Sequence, residues 1–305
     1  INGDGKMDLV YGSGSNIGAL RNTSTTGNIS FATAQIFNNT FYLTGVAIAD
    51  VDGDGRPDVG TSCPGDNLVT ALRNTTTPGS TSFSFAPAVS FPTNSSYPYR
   101  LFLGDFDKDN KIDFVTNNFN GATTSIFRNT SVPGTISFAT TVNLLSPTSN
   151  YRLGVGDADG DGNVDLVTKS SGENLFSVYK NTSSGQGNIS FAPRVDYPGQ
   201  AEASGILIGD LDGDYVPDIA TSGISFNTLR VHRNNSTVVD NTAPTASCKN
   251  ITVALSPAGT VTITPQMVDN GSSDACGIQS LALSKTNFTC ADIGANNVTL
   301  TVTDR

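Results

Sequence analysis

The chain has 305 residues, 17 basic and 27 acidic, for a formal net charge of −10; 25 of the acidic residues are aspartate, and Glu173 and Glu202 are the two glutamates. A composition rich in Thr, Ser, Asn and Gly with so little Glu favours turns and strands over helices, and predicts an all-β protein of two domains. Net acidity without Lys/Arg clusters argues against nucleic acid or anionic membrane as partners. No apolar run is long enough to span a bilayer, and no charged segment leads into an apolar one, so any export signal lies outside this sequence. One histidine (His232), no tryptophan and no paired glutamates leave the chain poorly stocked for acid–base catalysis.

Read in chain order, the sequence repeats itself. A partial copy, INGDGKMD (Ile1 to Asp8), opens it. Full copies follow as DVDGDGRPD (Asp50 to Asp58), DFDKDNKID (Asp105 to Asp113), DADGDGNVD (Asp157 to Asp165) and DLDGDYVPD (Asp210 to Asp218), at intervals of 55, 52 and 53 residues. A second marker keeps the same beat: RNTS from Arg21, RNTT from Arg73, RNTS from Arg128, KNTS from Lys180 and RNNS from Arg233. A third, ISFA or FSFA, ends at Ala32, Ala86, Ala139 and Ala192.

Each period holds four strand-like runs. In the fourth they are Arg152 to Gly156, Val164 to Thr168, Leu175 to Lys180 and Ile189 to Val195, with the aspartate loop joining the first to the second. Four antiparallel strands per repeat of this length predict a β-propeller blade, whose small, Gly-rich first strand suits the crowded innermost position. Blades are expected near 1–46, 47–100, 101–152, 153–204 and 205–238. The opening copy lacks a first strand and the last lacks its ISFA strand, so the reading is five visible repeats of a larger ring of about seven blades, with upstream blades outside this sequence.

Within each nine-residue loop, aspartates stand at positions one, three, five and nine. Alternate carboxylates in a tight loop can converge on one hard cation, with a backbone carbonyl at position seven completing the shell, and Ca²⁺ suits this set better than Mg²⁺. The expected ligands are Asn2, Asp4, Lys6 and Asp8; Asp50, Asp52, Asp54, Arg56 and Asp58; Asp105, Asp107, Asp109, Lys111 and Asp113; Asp157, Asp159, Asp161, Asn163 and Asp165; and Asp210, Asp212, Asp214, Val216 and Asp218. Of these, Lys6, Arg56, Lys111, Asn163 and Val216 would contribute carbonyls. These loops hold 18 of the 25 aspartates, which would repel strongly without cations. About one Ca²⁺ per repeat would carry a charge equal and opposite to that of the chain. Position six is Gly55, Asn110, Gly162 and Tyr215; it favours φ > 0, so the last loop is expected to bind most weakly.

These repeats resemble FG-GAP/VCBS-type propeller blades, found in integrin α-subunit heads and many secreted bacterial proteins. The resemblance runs from residue 1 to about 238. It implies a structural Ca²⁺ site in the hairpin between the first and second strands of each blade. The asparagines of the RNT marker read as turn residues that bond their own backbone, and the preceding Arg21, Arg73, Arg128, Lys180 and Arg233 as partners for a neighbouring blade's carboxylates. The functional alternative for these cations is a ring binding acidic glycan. Sequons at Asn22, Asn129 and Asn181 read as turn chemistry.

The texture changes at Asp240. A Pro-containing linker leads into alternating runs, NTAPTASCKNITVAL (Asn241 to Leu255), Val261 to Pro265, Ile278 to Ser284 and Asn297 to Asp304, which suggest an immunoglobulin-like sandwich over 239–305. TASCKNITVAL, VDNGSSDACGI and LSKTNFTCADIGANNVTLTVTD resemble the hyalin-repeat (HYR) type of module common in surface proteins of Bacteroidota. That resemblance implies a spacer or adhesive role. Three of the four cysteines lie here, in keeping with export. Cys276 with Cys290 is the favoured disulfide, worth about 3 kcal/mol for its loop length. The resemblance implies a further cysteine after the TVTD strand as partner for Cys248, and Cys63 is expected to remain a buried thiol.

The leading expectation is a non-enzymatic, calcium-stabilised extracellular or cell-surface adhesion or scaffold module, with a protein or glycan surface ligand or neighbouring modules as partners. The alternatives are a lectin, using Tyr97, Tyr99, Tyr151 and Tyr197 at blade ends, and a polysaccharide-degrading enzyme. For the latter His232 is the one imidazole, and its place on a predicted third strand favours a structural role.

Overall fold

The computed structural model describes residues 1–39, 41–146, 150–170, 174–185, 187–199, 203–214, 216–223, 228–235, 243–274 and 277–304. Two compact units are distinguishable: one comprises Ile1–Ala158, Asn163–Gly209 and Pro217–Asn234, the other Asp159–Gly162, Asp210–Val216 and Asn235–Arg305.

The first unit is a series of small antiparallel sheets, one per sequence repeat. Blade 1 contains β1 (Leu9–Ser13), β2 (Asn16–Leu20) and β3 (Gln35–Asn38); blade 2 contains β4 (Gly45–Ala49), β5 (Asp58–Cys63), β6 (Leu68–Leu72) and β7 (Val89–Pro92). Blade 3 is β8 (Pro98–Gly104), β9 (Asp113–Asn118), β10 (Thr123–Phe127) and β11 (Val142–Leu145), and blade 4 is β12 (Asn150–Gly156), β13 (Asp165–Ser170), β14 (Leu175–Tyr179) and β15 (Val195–Pro198). Blade 5 has three described strands, β16 (Ala203–Gly209), β17 (Asp218–Gly223) and β18 (Thr228–His232). Strands pair in chain order in every sheet, and the aspartate loops join first to second strands as expected.

The fourth strand is not the one expected. The ISFA segment forms only an isolated bridge, pairing its Phe with the Asn of the RNT marker (Asn22 with Phe31, Asn74 with Phe85, Asn129 with Phe138, Asn181 with Phe191). The pairing strand follows it, as in β15, where Val195 faces Val178 and Tyr197 faces Phe176. The physical reason is packing. The ISFA phenylalanine turns into the boundary with the preceding blade, and Phe85 meets Phe37 edge-on at 4.9 Å, as Phe138 meets Phe91.

The cores lie between blades. Ile17 of blade 1 packs with Val59 and Leu72 of blade 2; Val69 and Ala71 pack with Leu101, Phe114 and Phe127 of blade 3; Val115 and Ile126 with Leu153, Leu166 and Tyr179 of blade 4; and Val167 and Phe176 with Ile219 of blade 5. Each fully buried aromatic or aliphatic side chain contributes roughly 1.5–3 kcal/mol. Crowding at the first strands is real: a Cβ on Gly45 would stand 2.7 Å from the Leu101 backbone nitrogen, and one on Gly154 would stand 2.7 Å from Ile206 Cγ2.

In the C-terminal unit, β19 (Thr260–Thr262) pairs with β21 (Asn287–Thr289), and β20 (Ile278–Leu283) with β22 (Leu300–Asp304); a one-turn helix α1 (Pro265–Val268) follows β19. Its core is Ile263, Val268 and Phe288, with Ile251, Leu283 and Val298 against it. Two expected strands are corrected. The described part of NTAPTASCKNITVAL contributes bridges at Thr245 and Cys248 and no strand, and VTITP shortens because Pro265 fits the first turn of a helix better than a central strand.

Candidate metal centres

Each loop is shaped by its own carboxylates. Asp50 accepts backbone N–H bonds from Gly53 (2.9 Å), Asp54 (3.1 Å) and Gly55 (2.8 Å), folding the loop round its first residue. The tight turn requires left-handed backbone at two positions, four as well as six: Gly53 and Gly55 at φ +74° and +84°, Lys108 and Asn110 at +56° and +63°. Position four was not recognised in the sequence because Gly there looked like ordinary turn composition, and Lys108 concealed the pattern. Tyr215, the basis for ranking the last loop, lies outside the described residues.

The structure brings positions one, three and nine together. One carboxylate oxygen from each of Asp50, Asp52 and Asp58 lies within 4.8 Å of the others, and the same holds for Asp105, Asp107 and Asp113, for Asp157, Asp159 and Asp165, and for Asp210, Asp212 and Asp218. Position five stands outside these groups: Arg56 Nη2 donates to Asp54 Oδ2 at 2.5 Å, and Lys111 N donates to Asp109 Oδ1. In the opening copy, Asp4 N donates to Asn2 Oδ1 and Lys6 N to Asp4 Oδ1, while Asp8 accepts from Asn22 N.

Position nine is the anchor. Asp58 Oδ2 accepts Val51 N at 3.0 Å and its Oδ1 accepts Asn74 N at 2.8 Å, tying the loop to the end of the third strand; Asp113 does the same with Phe106 and Asn129. Burial pushes the Asp58 carboxyl up to about 6 and Asp113 up to about 7, and burial also raises Asp109. Asp54 is held below the usual carboxylate range, chiefly by the Arg56 side chain. Asp107 is fully buried, and its Oδ1 has no hydrogen-bond partner. A buried anionic oxygen without a partner is costly. It sits in an all-oxygen donor set, and that set fits a hard divalent cation.

The RNT asparagine does more than turn. Its Oδ1 caps the following turn as expected (Thr76 N to Asn74, Ser131 N to Asn129). Its Nδ2 also reaches the position-two carbonyl of the preceding blade's loop: Asn74 to Ile1 O (2.9 Å), Asn129 to Val51 O (2.8 Å), Asn181 to Phe106 O (2.9 Å) and Asn234 to Ala158 O (2.9 Å). The position-three carboxylates join in, with Gly134 N donating to Asp52 Oδ2 and Gly187 N to Asp107 Oδ2. The Asp50, Asp105 and Asp157 loops are therefore each both a carboxylate cluster and half of a clasp between blades. Two of the basic residues before the asparagine pair within their own blade and not with a neighbour's carboxylate: Arg73 lies 3.8 Å from Asp54 and Arg128 3.9 Å from Asp107, the boundary side being taken by Asn74 and Asn129.

Other singled-out residues are placed as follows. His232 is partly buried, its ring 4.6 Å from Phe176, and burial lowers its pKa. Tyr197 stacks on Phe176 at 5.4 Å and Tyr97 meets Phe119 edge-on; Tyr99 lies on β8, and the Tyr151 side chain is outside the described set. Cys63 is a buried free thiol, Cys248 and Cys290 are exposed free thiols, and Cys276, the expected partner of Cys290, lies outside the described residues. No described helix is long and apolar enough to cross a membrane.

A search of curated proteins finds no match. Among solved structures, the crystal structure of a protein from Lactobacillus plantarum is similar over 80% of this chain and 72% of that one, at 12% identity and a TM-score of 0.42. The family described as FG-GAP-like repeat matches residues 1–61 and 105–168, so that each matched stretch contains two of the aspartate loops: FG-GAP-like repeats are present in this chain.

Proposed function

We propose that the repeats are blades of a β-propeller stabilised by Ca²⁺, with about one ion per loop, and that the C-terminal unit is an Ig-like, hyalin-repeat-type spacer. Together they form a non-enzymatic, extracellular adhesion or surface-scaffold module. The observation that carries this reading is the Asp105, Asp107 and Asp113 group, in which three carboxylates converge around a buried oxygen of Asp107 that no protein donor satisfies. A cation held there by Asp105, Asp107 and Asp113 would neutralise the carboxylates and lock the clasp to blade 4, since Asp107 also accepts from Gly187. The distribution of the chemistry supports a scaffold: the acidic groups are spent on boundaries between blades, and the one histidine packs against an aromatic ring. Calorimetric titration of the metal-stripped protein with Ca²⁺, in excess Mg²⁺, tests the metal. The expected result is several sites that discriminate for Ca²⁺, with one lost in Asp107→Asn; no Ca²⁺ heat, or an unchanged number of sites in the variant, would contradict it.

A further inference from the structure

The position-nine carboxylates are bonded in series across the blades. In each loop the residue at position two uses both of its backbone groups. Its N–H holds the position-nine aspartate of its own loop, and its carbonyl accepts the next blade's asparagine, whose own N–H holds the next position-nine aspartate. Asp58 Oδ2 accepts Val51 N (3.0 Å), Val51 O accepts Asn129 Nδ2 (2.8 Å), and Asn129 N donates to Asp113 Oδ1 (2.7 Å). The line continues from Asp113 through Phe106 and Asn181 to Asp165 (2.9, 2.9 and 2.7 Å), and from Asp165 through Ala158 and Asn234 to Asp218 (2.8, 2.9 and 2.9 Å). Two residues therefore separate one candidate ligand from the next. Asp58, Asp113, Asp165, Asn129 and Asn181 are buried, so water does not readily replace a lost link.

A second route runs beside the first. In blade 3 the turn Val132 to Thr135 is closed by paired backbone bonds, and Gly134, at φ +89°, turns its N–H onto Asp52 Oδ2 of the preceding loop at 2.9 Å. Lys111, at position seven of blade 3's own loop, reaches the same hairpin, its Nζ donating to Ser131 O at 2.8 Å. Two loops thus share one hairpin. Gly187 N repeats the contact on position three with Asp107 Oδ2 at 2.7 Å.

We infer that the loops fill with positive cooperativity, and that Asn129 and Asn181 are the positioning residues through which a filled loop readies its neighbours. The inference rests on the calcium reading above. A cation on Asp113 fixes the carboxylate that holds Asn129; Asn129 then fixes the Val51 carbonyl, and with it the residue between Asp50 and Asp52. Part of the ordering that the preceding loop needs is in place before its own ion arrives, and that ion binds more tightly. The coupling is reciprocal, and filling one loop should tighten the next by about fivefold or more. Repulsion between ions does not oppose it strongly, because a group of three carboxylates keeps a net negative charge when filled.

Native mass spectrometry of the full chain, titrated with Ca²⁺ to half occupancy, tests the inference by counting the ions on each molecule. Independent sites, whether equal in affinity or not, give a spread of counts no wider than the binomial one of the same mean. The expected spread is wider, with empty and full chains over-represented. Asn181→Ala cuts the line between the Asp105 and Asp157 groups and should narrow the spread at matched mean occupancy, a readout that a merely structural role would leave unmoved. Circular dichroism checks that the variant folds, and the wild-type spread decides the question if it does not. A wild-type spread at or below the binomial would overturn the cooperativity while leaving calcium binding intact. An equally wide spread in folded Asn181→Ala would overturn the role of the asparagine, and a chain that takes up no calcium would overturn the metal reading and the inference together.

Discussion

The two units handle aspartate in opposite ways. In the blades, Asp58, Asp107, Asp113, Asp165 and Asp218 are buried at the roots of loops, and burial raises Asp58 and Asp113. In the C-terminal unit, Asp269 and Asp292 are partly exposed and held below the usual range, first by the side chains of Ser272 and Lys285 respectively. Hydrogen bonds within the protein suffice for the second pair. In the first set, Asp107 keeps a buried oxygen without a hydrogen-bond partner, and that is the deficit which the proposed cation would meet.

The largest expected effect separates the units directly. Removing Ca²⁺ with EDTA should lower the thermal transition of the blades by about 10 °C or more, given about 2.7 kcal/mol per site at a hundredfold excess over Kd, and leave the C-terminal transition in place. Differential scanning calorimetry reads both. Equal shifts in the two transitions would erase the contrast.

Next comes the clasp. Asn129→Ala removes two bonds from Nδ2, to Val51 O and Ile112 O, at a buried position. It should cost about 3 kcal/mol through the carbonyls left unpaired. Urea unfolding should show the loss, and an effect under about 0.5 kcal/mol would reduce the clasp to a turn residue.

The pH response sharpens the contrast in sign. A carboxyl whose folded pKa is raised adds stability below its unfolded value near 4, and that contribution is lost as pH rises through the folded value. For Asp58 and Asp113 the window runs from about 4 to about 7. Asp269 and Asp292, with lowered values, contribute above about 4 and lose it only in acid. In EDTA, the blades should therefore unfold at lower urea at about pH 8 than at about pH 5, while the C-terminal unit stays level across that range. A level response from both would refute the burial argument.

The smallest effect concerns the C-terminal unit itself. Thr289 caps the 3-10 turn Cys290–Asp292, and Asp292 bonds back to Thr289 N. Thr289→Ala should cost about 1 kcal/mol in that unit and leave the blade transition unmoved. A shift in the blade transition would show that the units do not unfold separately.

Much of this was legible from period alone. Repeated aspartates fixed the loops and their place between first and second strands, because a tight loop binds its own carboxylates locally. The boundary chemistry was not legible. Asn129 and Val51 lie 78 residues apart, and nothing in NTS distinguishes an asparagine that bonds its own turn from one that also reaches the preceding blade. The ISFA phenylalanine misled for a related reason: an alternating apolar run reads as a strand, whereas Phe138 spends its ring on Phe91 across the boundary. Sequence periodicity reports what each blade does for itself, and long-range contacts report what it does for the next.

The central claim is that the loops hold calcium, and counting ions on the intact chain tests it most directly. Native mass spectrometry after equilibration with Ca²⁺ should show about one bound ion for each of the four Asp groups, at Asp50, Asp105, Asp157 and Asp210, stripped by EDTA and regained on adding Ca²⁺. A chain that carries no calcium, or the same mass before and after EDTA, would contradict the account.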